Sequence, residues 1–114
     1  MNETMLDRWL VQSRKGFLEL CVLLVLQKKD QVYGLELMHL FEQLGLTVNE
    51  GTLYPLLNRM HKNGWLESTW KMPADRGHPR RFYALTPRGR RLLPEMLSAH
   101  HAHIRILQTL EKQS

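Results

Sequence analysis

The hydrophobic period of this chain changes at Gly64, and that change constrains the fold more than any other feature. Before Gly64, apolar residues recur at intervals of three and four, which is typical of amphipathic helices. After it, the segments WLESTWKM and RFYAL alternate as strands do, and the turn-forming segment PADRGHPR separates them. The sequence therefore predicts helices followed by a β-hairpin with a long tip.

Three helices are expected before the hairpin. The first becomes almost continuously apolar from Phe17 to Leu26, which indicates burial on most sides. The segment KKDQVYG interrupts it, and a short second helix then ends near Gly45. Asn49 is a good N-cap for a third helix, which ends near Gly64. The apolar face of the third helix consists of Leu53, Leu56, Leu57 and Met60.

Gly51 and Pro55 are unusual residues near the start of a helix. Pro55 removes a backbone donor and crowds the carbonyl four residues earlier, where Gly51 lessens the clash. The third helix is therefore expected either to begin later, around Thr52, or to have a distorted first turn. Because Gly51 has no Cβ, it also lets the backbone approach a phosphate closely.

The opposite face of the third helix is polar, basic and aromatic. At about 100° per residue it consists of Gly51, Pro55, Asn58 and Lys62, flanked by Thr52, Tyr54 and Arg59. Taken alone, such a face is usually only the solvent-exposed side of a surface helix and binds nothing. The hairpin tip and the strand after it carry a second group of basic side chains, which are Lys71, Arg76, His78, Arg80 and Arg81. Helix, helix, polar-faced helix and basic hairpin is the order of a winged helix-turn-helix, whose third helix can enter a DNA major groove.

Composition agrees with a small intracellular domain. The 114 residues suit one domain, and the net charge of +5 favours an acidic partner. The single cysteine, Cys21, excludes a disulfide framework within the chain, and its apolar surroundings predict a buried, inert thiol. The acidic start and the short apolar run resemble neither a signal peptide nor a membrane span, so a cytoplasmic protein with no membrane partner is expected.

The segments YGLEL, NEGTLYPLLNRMHKNGWLES and GHPRRFYALTPRGRRLL together resemble the PadR family of regulators over roughly residues 16–93. The resemblance implies a mainly α-helical, homodimeric winged-helix transcription factor of the short form, with a single C-terminal dimerisation helix. Such proteins usually repress neighbouring genes. Within a single domain of residues 1–114, we expect a winged helix-turn-helix core at 14–87 and dimerisation helices at 1–13 and 88–112.

The resemblance implies that DNA meets the N-terminal end of the third helix. Thr52 and Tyr54 are expected to contact phosphate or base, and Asn58 a base edge. An alternative for Tyr54 is that its ring packs between this helix and the wing. Backbone contacts are expected from Arg59 or Lys62 on the helix.

Charged wing residues are expected along phosphates or in a minor groove, where charge and reach matter most. These residues are Arg76, His78, Arg80 and Arg81. Secondary backbone contacts are expected from Lys15, just before the buried part of the first helix, and from Tyr33, in the turn before the second.

The C-terminal segment predicts a dimerisation helix. Thr86 is a suitable N-cap, Pro87 suits the first helical position, and Pro94 predicts a kink or restart. Beyond it, two adjacent apolar seams form one wide face that a partner copy would cover. The expected interface residues are Leu6, Trp9, Leu10, Leu93, Met96, Leu97, Ile104 and Leu107. Two-fold symmetry predicts a palindromic double-stranded DNA operator with half-sites about one helical turn apart.

The same interface has three further interpretations. It can be a closed core, or it can hold a small aromatic or lipophilic effector, as PadR-like regulators often do. The predicted effector pocket consists of Met5, Trp9, Met96, His100 and Ile104. The segment HHAH also allows a metal-responsive regulator, although no cysteine or carboxylate accompanies it at ligand spacing, so no metal is predicted.

An enzyme is not predicted, because the sequence has no phosphate-binding loop, paired carboxylates or activated nucleophile. No cofactor is predicted either. A winged-helix adaptor that binds protein without DNA remains the alternative from a different functional class, and the basic wing beside a polar helix face argues against it.

Overall fold

The computed structural model describes residues 3–72 and 77–113. Helix α1 spans Met5–Lys28, strand β1 Val32–Tyr33, helix α2 Gly34–Gln43, helix α3 Glu50–Lys62, strand β2 Leu66–Lys71, strand β3 Arg80–Leu85 and helix α4 Pro87–Lys112. The three described strands form one antiparallel sheet in the order β1-β3-β2. The predicted mainly helical fold with a β-hairpin is confirmed.

Side-chain caps fix the starts of three helices. Thr4 and Asp7 form a capping box at α1, in which Thr4 Oγ1 accepts from the Asp7 N–H at 3.0 Å. Asn49 Oδ1 accepts from the Thr52 N–H at 2.9 Å, and Thr86 Oγ1 accepts from the Gly89 N–H at 3.0 Å. The N-caps that the sequence predicted at Asn49 and Thr86 are therefore confirmed.

Helix α3 contains both of its unusual residues. It begins at Glu50, directly after the predicted Asn49 cap, so of the two alternatives left open by the sequence the later start around Thr52 does not occur: the Asn49 cap satisfies the Thr52 N–H. Pro55 lies inside the helix, where Gly51 occupies the position four residues earlier. The helix ends as predicted, because Gly64 has a φ of +80°, which a residue with a side chain rarely adopts.

Strand β1 was not predicted from the sequence. Val32 pairs with Tyr83 and Tyr33 with Phe82, so Tyr33 belongs to the sheet rather than to a turn. Two residues are too few to display an alternating pattern, and β1 exists because the edge of β3 offers its backbone partners. Tyr33 is consequently held against the hairpin, at the first residue before α2.

The core lies between the second half of α1, the inner faces of α2 and α3, and the sheet. Its buried members are Leu18, Leu20, Val22, Leu23, Leu26, Val32, Leu37, Phe41, Val48, Leu53, Leu56, Leu57, Met60, Leu66, Tyr83, Leu85 and Leu93. Leu93 is 0% exposed, so it is a core residue of its own chain and the prediction that it contacts a partner is wrong. A stripe at helical spacing looks the same whether it packs within a chain or between chains.

Helix α4 leaves the core after its first three turns. Met96 and Leu97 pack partly against the core, and the described residues after His100 are mostly exposed. The helix continues through Pro94, so the restart considered from the sequence does not occur. Its first 11 residues thus belong to the folded core, and the remainder projects from it.

A hydrogen-bonded junction joins the end of α3 to the start of α4. Thr86 Oγ1 donates to the Gly64 carbonyl at 2.6 Å, and the Thr86 N–H donates to the Trp65 carbonyl at 3.1 Å. Gly89 leaves no room for a Cβ, because one would overlap the Trp65 carbonyl. The turn after α3 and the first turn of α4 are therefore held together at backbone contact.

Among the described residues, no helix has the combination of length and apolar character that crossing a bilayer requires.

Candidate nucleic-acid interface

The outward face of α3, the hairpin strands and the start of α2 enclose a groove of about 620 Å³. Tyr54 and Asn58 line it from α3, Trp70 and Arg81 from the hairpin, and Tyr33 from β1. The groove therefore combines aromatic walls with amide and guanidinium donors, which suit the sugars, phosphates and base edges of a nucleic acid.

Tyr54 packs closely against α2. A Cβ on Gly34 would lie 2.7 Å from both Cε1 and the hydroxyl oxygen of Tyr54, so the absence of a side chain at residue 34 makes room for the ring. Burial raises the pKa of the Tyr54 hydroxyl above its usual value, and the Glu50 carboxylate adds a smaller rise. The Tyr54 hydroxyl therefore keeps its proton at neutral pH. The ring of Tyr54 thus packs against α2, whereas the alternative expected for it was packing against the wing. Contact of Tyr54 with DNA stays a prediction.

Asn58 and Arg81 connect α3 directly to the hairpin. Arg81 NH1 donates to Asn58 Oδ1 at 3.2 Å, while the guanidinium lies over the Tyr83 ring, 5.1 Å from its centroid. Burial raises the pKa of Tyr83, and the charge of Arg81 partly offsets that rise. Arg81 is thus turned inward toward α3, which differs from the phosphate-facing position expected of it.

The other wing cations that the structure describes lie against aromatic rings. The Arg80 guanidinium lies 4.8 Å from the centroid of Tyr33, and Lys71 Nζ lies 5.5 Å from that of Phe82. Tyr33 in turn meets Phe82 edge to face, with centroids 5.4 Å apart. Arg80 and Tyr33 both line the groove, so their cation–π contact holds positive charge there, whereas Lys71 and Phe82 lie outside its lining.

A smaller basic cavity of about 170 Å³ lies on the other side of α3, between it and α1. Arg14 and Lys15 of α1 line it together with Thr52 and Arg59 of α3. Arg59 Nε also lies 3.9 Å from the carboxylate of Glu19. Burial raises the pKa of Glu19, and Arg59 lowers it to a smaller extent. This cavity can accept an anion such as a phosphate, with Glu19 competing for Arg59.

The structure brings most of the predicted DNA-contacting residues to these two surfaces. Gly51, Lys62 and His78 are exposed, and His78 lines the larger groove. Arg76 lies outside the described residues.

Trp70 and Arg14 are among the residues of these surfaces that were not predicted from the sequence. Trp70 is 66% exposed in the groove and pairs across the hairpin with Arg81. The alternation of WLESTWKM predicts a strand, in which residues 66 and 70 lie on the same face. It does not predict that Trp70 lines a groove together with residues of α3. Arg14 carries no comparable signal, because only the packing of α1 against α3 brings it to the cavity.

The residues expected at the dimer interface and effector pocket differ in exposure. Met5 and Trp9 are 86% and 62% exposed, so one chain alone does not enclose the predicted pocket. Leu6 and Leu107 are also exposed, and Leu10 is half-buried. Ile104 lies on the projecting part of α4, whereas Met96 contacts the core.

His100 has a neighbour within its own chain. Its ring centroid lies 6.3 Å from that of Phe17, and this contact marks the point where α1 and α4 meet. Within residues 3–72 and 77–113, no three His, Cys, Asp or Glu side chains are grouped closely enough to hold a metal ion.

A three-helix core, an antiparallel sheet and a basic hairpin beside the third helix define the class of winged-helix DNA-binding proteins. The family model of the Transcriptional regulator PadR-like family matches residues 22–95. This chain belongs to that family, whose members are DNA-binding transcriptional regulators rather than enzymes.

Individual relatives agree with this assignment. Transcriptional regulator Rv3488 of Mycobacterium tuberculosis is 38% identical over 66 residues, which cover 58% of this chain and 60% of that relative. A crystal structure of a PadR-like transcription factor from Bacteroides fragilis is 33% identical, with a TM-score of 0.75 over 91% of this chain and 99% of the other. A PadR family regulator from Eggerthella lenta is 27% identical, with a TM-score of 0.83 over 96% and 95% of the two chains.

Proposed function

We propose that this chain binds a palindromic operator as a homodimer and represses transcription there, with α3 of each copy in a major groove and the hairpin beside it. The observation that carries the proposal is the groove between α3 and the hairpin, in which Asn58 and Arg81 present hydrogen-bonding groups beside exposed Trp70. Base edges in the major groove carry the donor and acceptor pattern that such groups can read.

The distribution of charge supports contact with two stretches of DNA backbone. Arg14, Lys15 and Arg59 lie on the α1 side of α3, and Arg80 and Lys71 lie on the hairpin side. Phosphates on the two sides of a groove would each meet one of these groups.

Fluorescence anisotropy tests the DNA-binding proposal. The purified protein is titrated with the duplex upstream of its own gene and with a scrambled duplex of equal composition, at several salt concentrations. We expect preference for the native duplex, with log affinity falling against log salt at roughly 0.9 per phosphate contacted. Failure to bind either duplex at low salt would contradict the proposal and favour the protein-binding adaptor. Repression is tested separately, with a reporter gene behind the bound duplex.

Exposed apolar residues on both projecting segments support the homodimer. Leu6 and Trp9 of α1 are exposed, as are Leu107 and Leu110 of α4, and α1 contacts α4 at Phe17 and His100. Apolar residues in such number on two neighbouring helices favour burial against a second copy.

Sedimentation velocity tests the dimer. We expect Leu107→Glu to shift the protein from dimer to monomer and to weaken operator binding. Leu44→Glu is the matched control, because Leu44 is 79% exposed just after α2 and lies on neither projecting helix. A wild-type monomer at micromolar concentration would overturn this part of the proposal.

An effector site between the two copies completes the proposal. In one chain Trp9 and Ile104 present apolar surface beyond the core, and a second copy would enclose it. A small planar aromatic or lipophilic molecule fits such a space, and occupation would change the relative placement of the two reading helices. Tryptophan fluorescence tests the effector site. We expect an apolar dye to quench it in the wild type and in Trp70→Phe but not in Trp9→Phe.

A further inference from the structure

The hydrogen bond between Asn58 and Arg81 fixes which atoms of Asn58 face the groove. Arginine carries only N–H donors, so the Asn58 atom 3.2 Å from Arg81 NH1 must be the carbonyl oxygen, Oδ1. The amide nitrogen, Nδ2, is therefore turned away from Arg81. Asn58 is exposed near the middle of the outward face of α3, so its remaining hydrogen-bonding groups are available to a ligand in the groove.

Arg81 is held so that this orientation persists. Its guanidinium lies over the ring of Tyr83, which is only 1% exposed and pairs on β3 with both neighbouring strands. Its Nε is buried and donates to no acceptor among the described residues. A side-chain hydrogen bond between Arg81 and Tyr83 also holds the guanidinium in place. The pair is preorganised before any nucleic acid binds.

An asparagine alone usually reads adenine. It accepts from the adenine N6 amino group through Oδ1 and donates to N7 through Nδ2, so it needs both ends of its amide. Asn58 Oδ1 already accepts from Arg81, and the Arg81 guanidinium occupies the side of Asn58 on which that oxygen lies. One lone pair of Oδ1 remains, but the pair as a whole is rich in donors: the Nδ2 hydrogens of Asn58 and the other terminal N–H groups of Arg81.

We propose that Asn58 and Arg81 act as one donor-rich reading unit that selects guanine at one position in each half-site. Guanine presents two adjacent acceptors, N7 and O6, in the major groove, whereas adenine presents an amino donor where O6 would stand. An amino group that faces these donors has its nearest acceptor, Asn58 Oδ1, already bonded to Arg81, which disfavours adenine. This inference rests on the proposed insertion of α3 into the major groove.

Operator-wide base substitution tests the inference. Each base pair of the duplex bound by the full-length protein is replaced in turn by the three alternatives, and binding is measured by anisotropy. Asn58→Ala identifies the position that Asn58 reads, because base preference should disappear there alone. Wild type is expected to prefer guanine over adenine at that position by roughly 5- to 150-fold.

Two substitutions should change the preference in different directions. Arg81→Met keeps an apolar stem over Tyr83 but releases Asn58 Oδ1, so adenine should become the favoured base at that position. Asn58→Asp removes the outward donors while keeping an acceptor for Arg81, so guanine preference should be lost and cytosine, which offers its N4 amino group, should gain. Asn58 is exposed, so the aspartate variant should fold even if the Arg81 variant does not.

Arg80→Met is the matched control, because Arg80 is the neighbouring arginine and lies over Tyr33, whereas the hydrogen bond to Asn58 comes from Arg81. This variant should bind all duplexes more weakly by the same factor and leave the base preference unchanged. Wild-type preference for adenine at the Asn58 position, or an unchanged base profile in Arg81→Met and Asn58→Asp, would overturn the reading unit while leaving DNA binding intact. Absence of sequence-specific binding by the wild type would instead overturn the proposed function together with this inference.

Discussion

The ring of Tyr54 occupies the space in which a side chain on Gly34 would stand. A Cβ there would lie 2.7 Å from the ring edge and from the hydroxyl oxygen. Gly34 is the first residue of α2, and Tyr54 belongs to α3, so the far end of the Tyr54 side chain lies against the α2 backbone. The position of the Tyr54 ring, which lines the groove, therefore depends on the absence of a side chain at residue 34.

Gly34→Ala should lower the free energy of unfolding by about 1–3 kcal/mol, because the added methyl forces Tyr54 or α2 to shift. Gly16→Ala is the control, since Gly16 lies inside α1 with nothing within 4 Å of an added Cβ. That variant should raise the free energy of unfolding by about 0.5–1 kcal/mol. Urea denaturation followed by circular dichroism measures both, and equal effects at the two positions would contradict this account.

Thr86→Ala should destabilise the protein by about 1–2 kcal/mol, because one hydroxyl both caps α4 and donates to the Gly64 carbonyl. Thr109→Ala removes a hydroxyl whose Oγ1 donates to the Arg105 carbonyl within exposed helix, and should change stability by less than about 0.5 kcal/mol. Thermal melts at a fixed protein concentration distinguish the two. If Thr86→Ala lowered the stability no more than Thr109→Ala does, the junction would contribute little to the stability of the fold.

Glu19→Gln should tighten DNA binding by roughly two- to five-fold, because Arg59 no longer has a carboxylate competing with phosphate. The control is Glu36→Gln, which removes the same charge from a pair with Lys29 at 3.6 Å and should have a smaller effect. Anisotropy titrations at one salt concentration measure both. Weaker binding by Glu19→Gln would mean that Glu19 positions Arg59 for DNA instead of competing for it.

The same carboxyl gives a pH dependence of stability. Burial raises its folded-state pKa above the ordinary 4.5, so its contribution is fully present below pH 4.5 and is lost as pH rises through the folded-state pKa. The free energy of unfolding of the wild type should therefore fall between mildly acidic and neutral pH, and this fall should be absent in Glu19→Gln. Urea midpoints of wild type and variant at several pH values measure this, and parallel curves would contradict it.

Cys21 should react slowly with thiol reagents in the native protein. Burial raises the pKa of the thiol above its ordinary 9.0 and restricts access to it, so little thiolate is available. Ellman's reagent at mildly alkaline pH should label native protein at least about tenfold more slowly than protein unfolded in urea. Equal rates would place Cys21 on an accessible surface.

Local chemistry made the helix boundaries predictable. Asn49 and Thr86 each accept from the backbone N–H three residues onward, and Gly64 allows a positive φ, so each of these roles depends on a few neighbouring residues. The hairpin was predictable for a similar reason, since its alternation spans two full strands.

Contacts between distant segments were not predictable in the same way. Strand β1 needs the edge of β3, Tyr54 needs the bare backbone of Gly34, and Arg14 reaches its cavity only through the packing of α1 on α3. The assignment of Leu93 to the dimer interface failed because its helical spacing carries no information about which chain covers it.

The junction at Thr86 gives α4 the mechanics of a long arm fixed at one end. With 26 residues, α4 is about 39 Å long, but its first 11 residues are packed in the core, so only about 22 Å projects beyond it. The base of the helix is bonded to the turn that ends α3. A displacement of a few ångströms at the far end of the projecting part therefore corresponds to a rotation of less than about ten degrees where the helix enters the core.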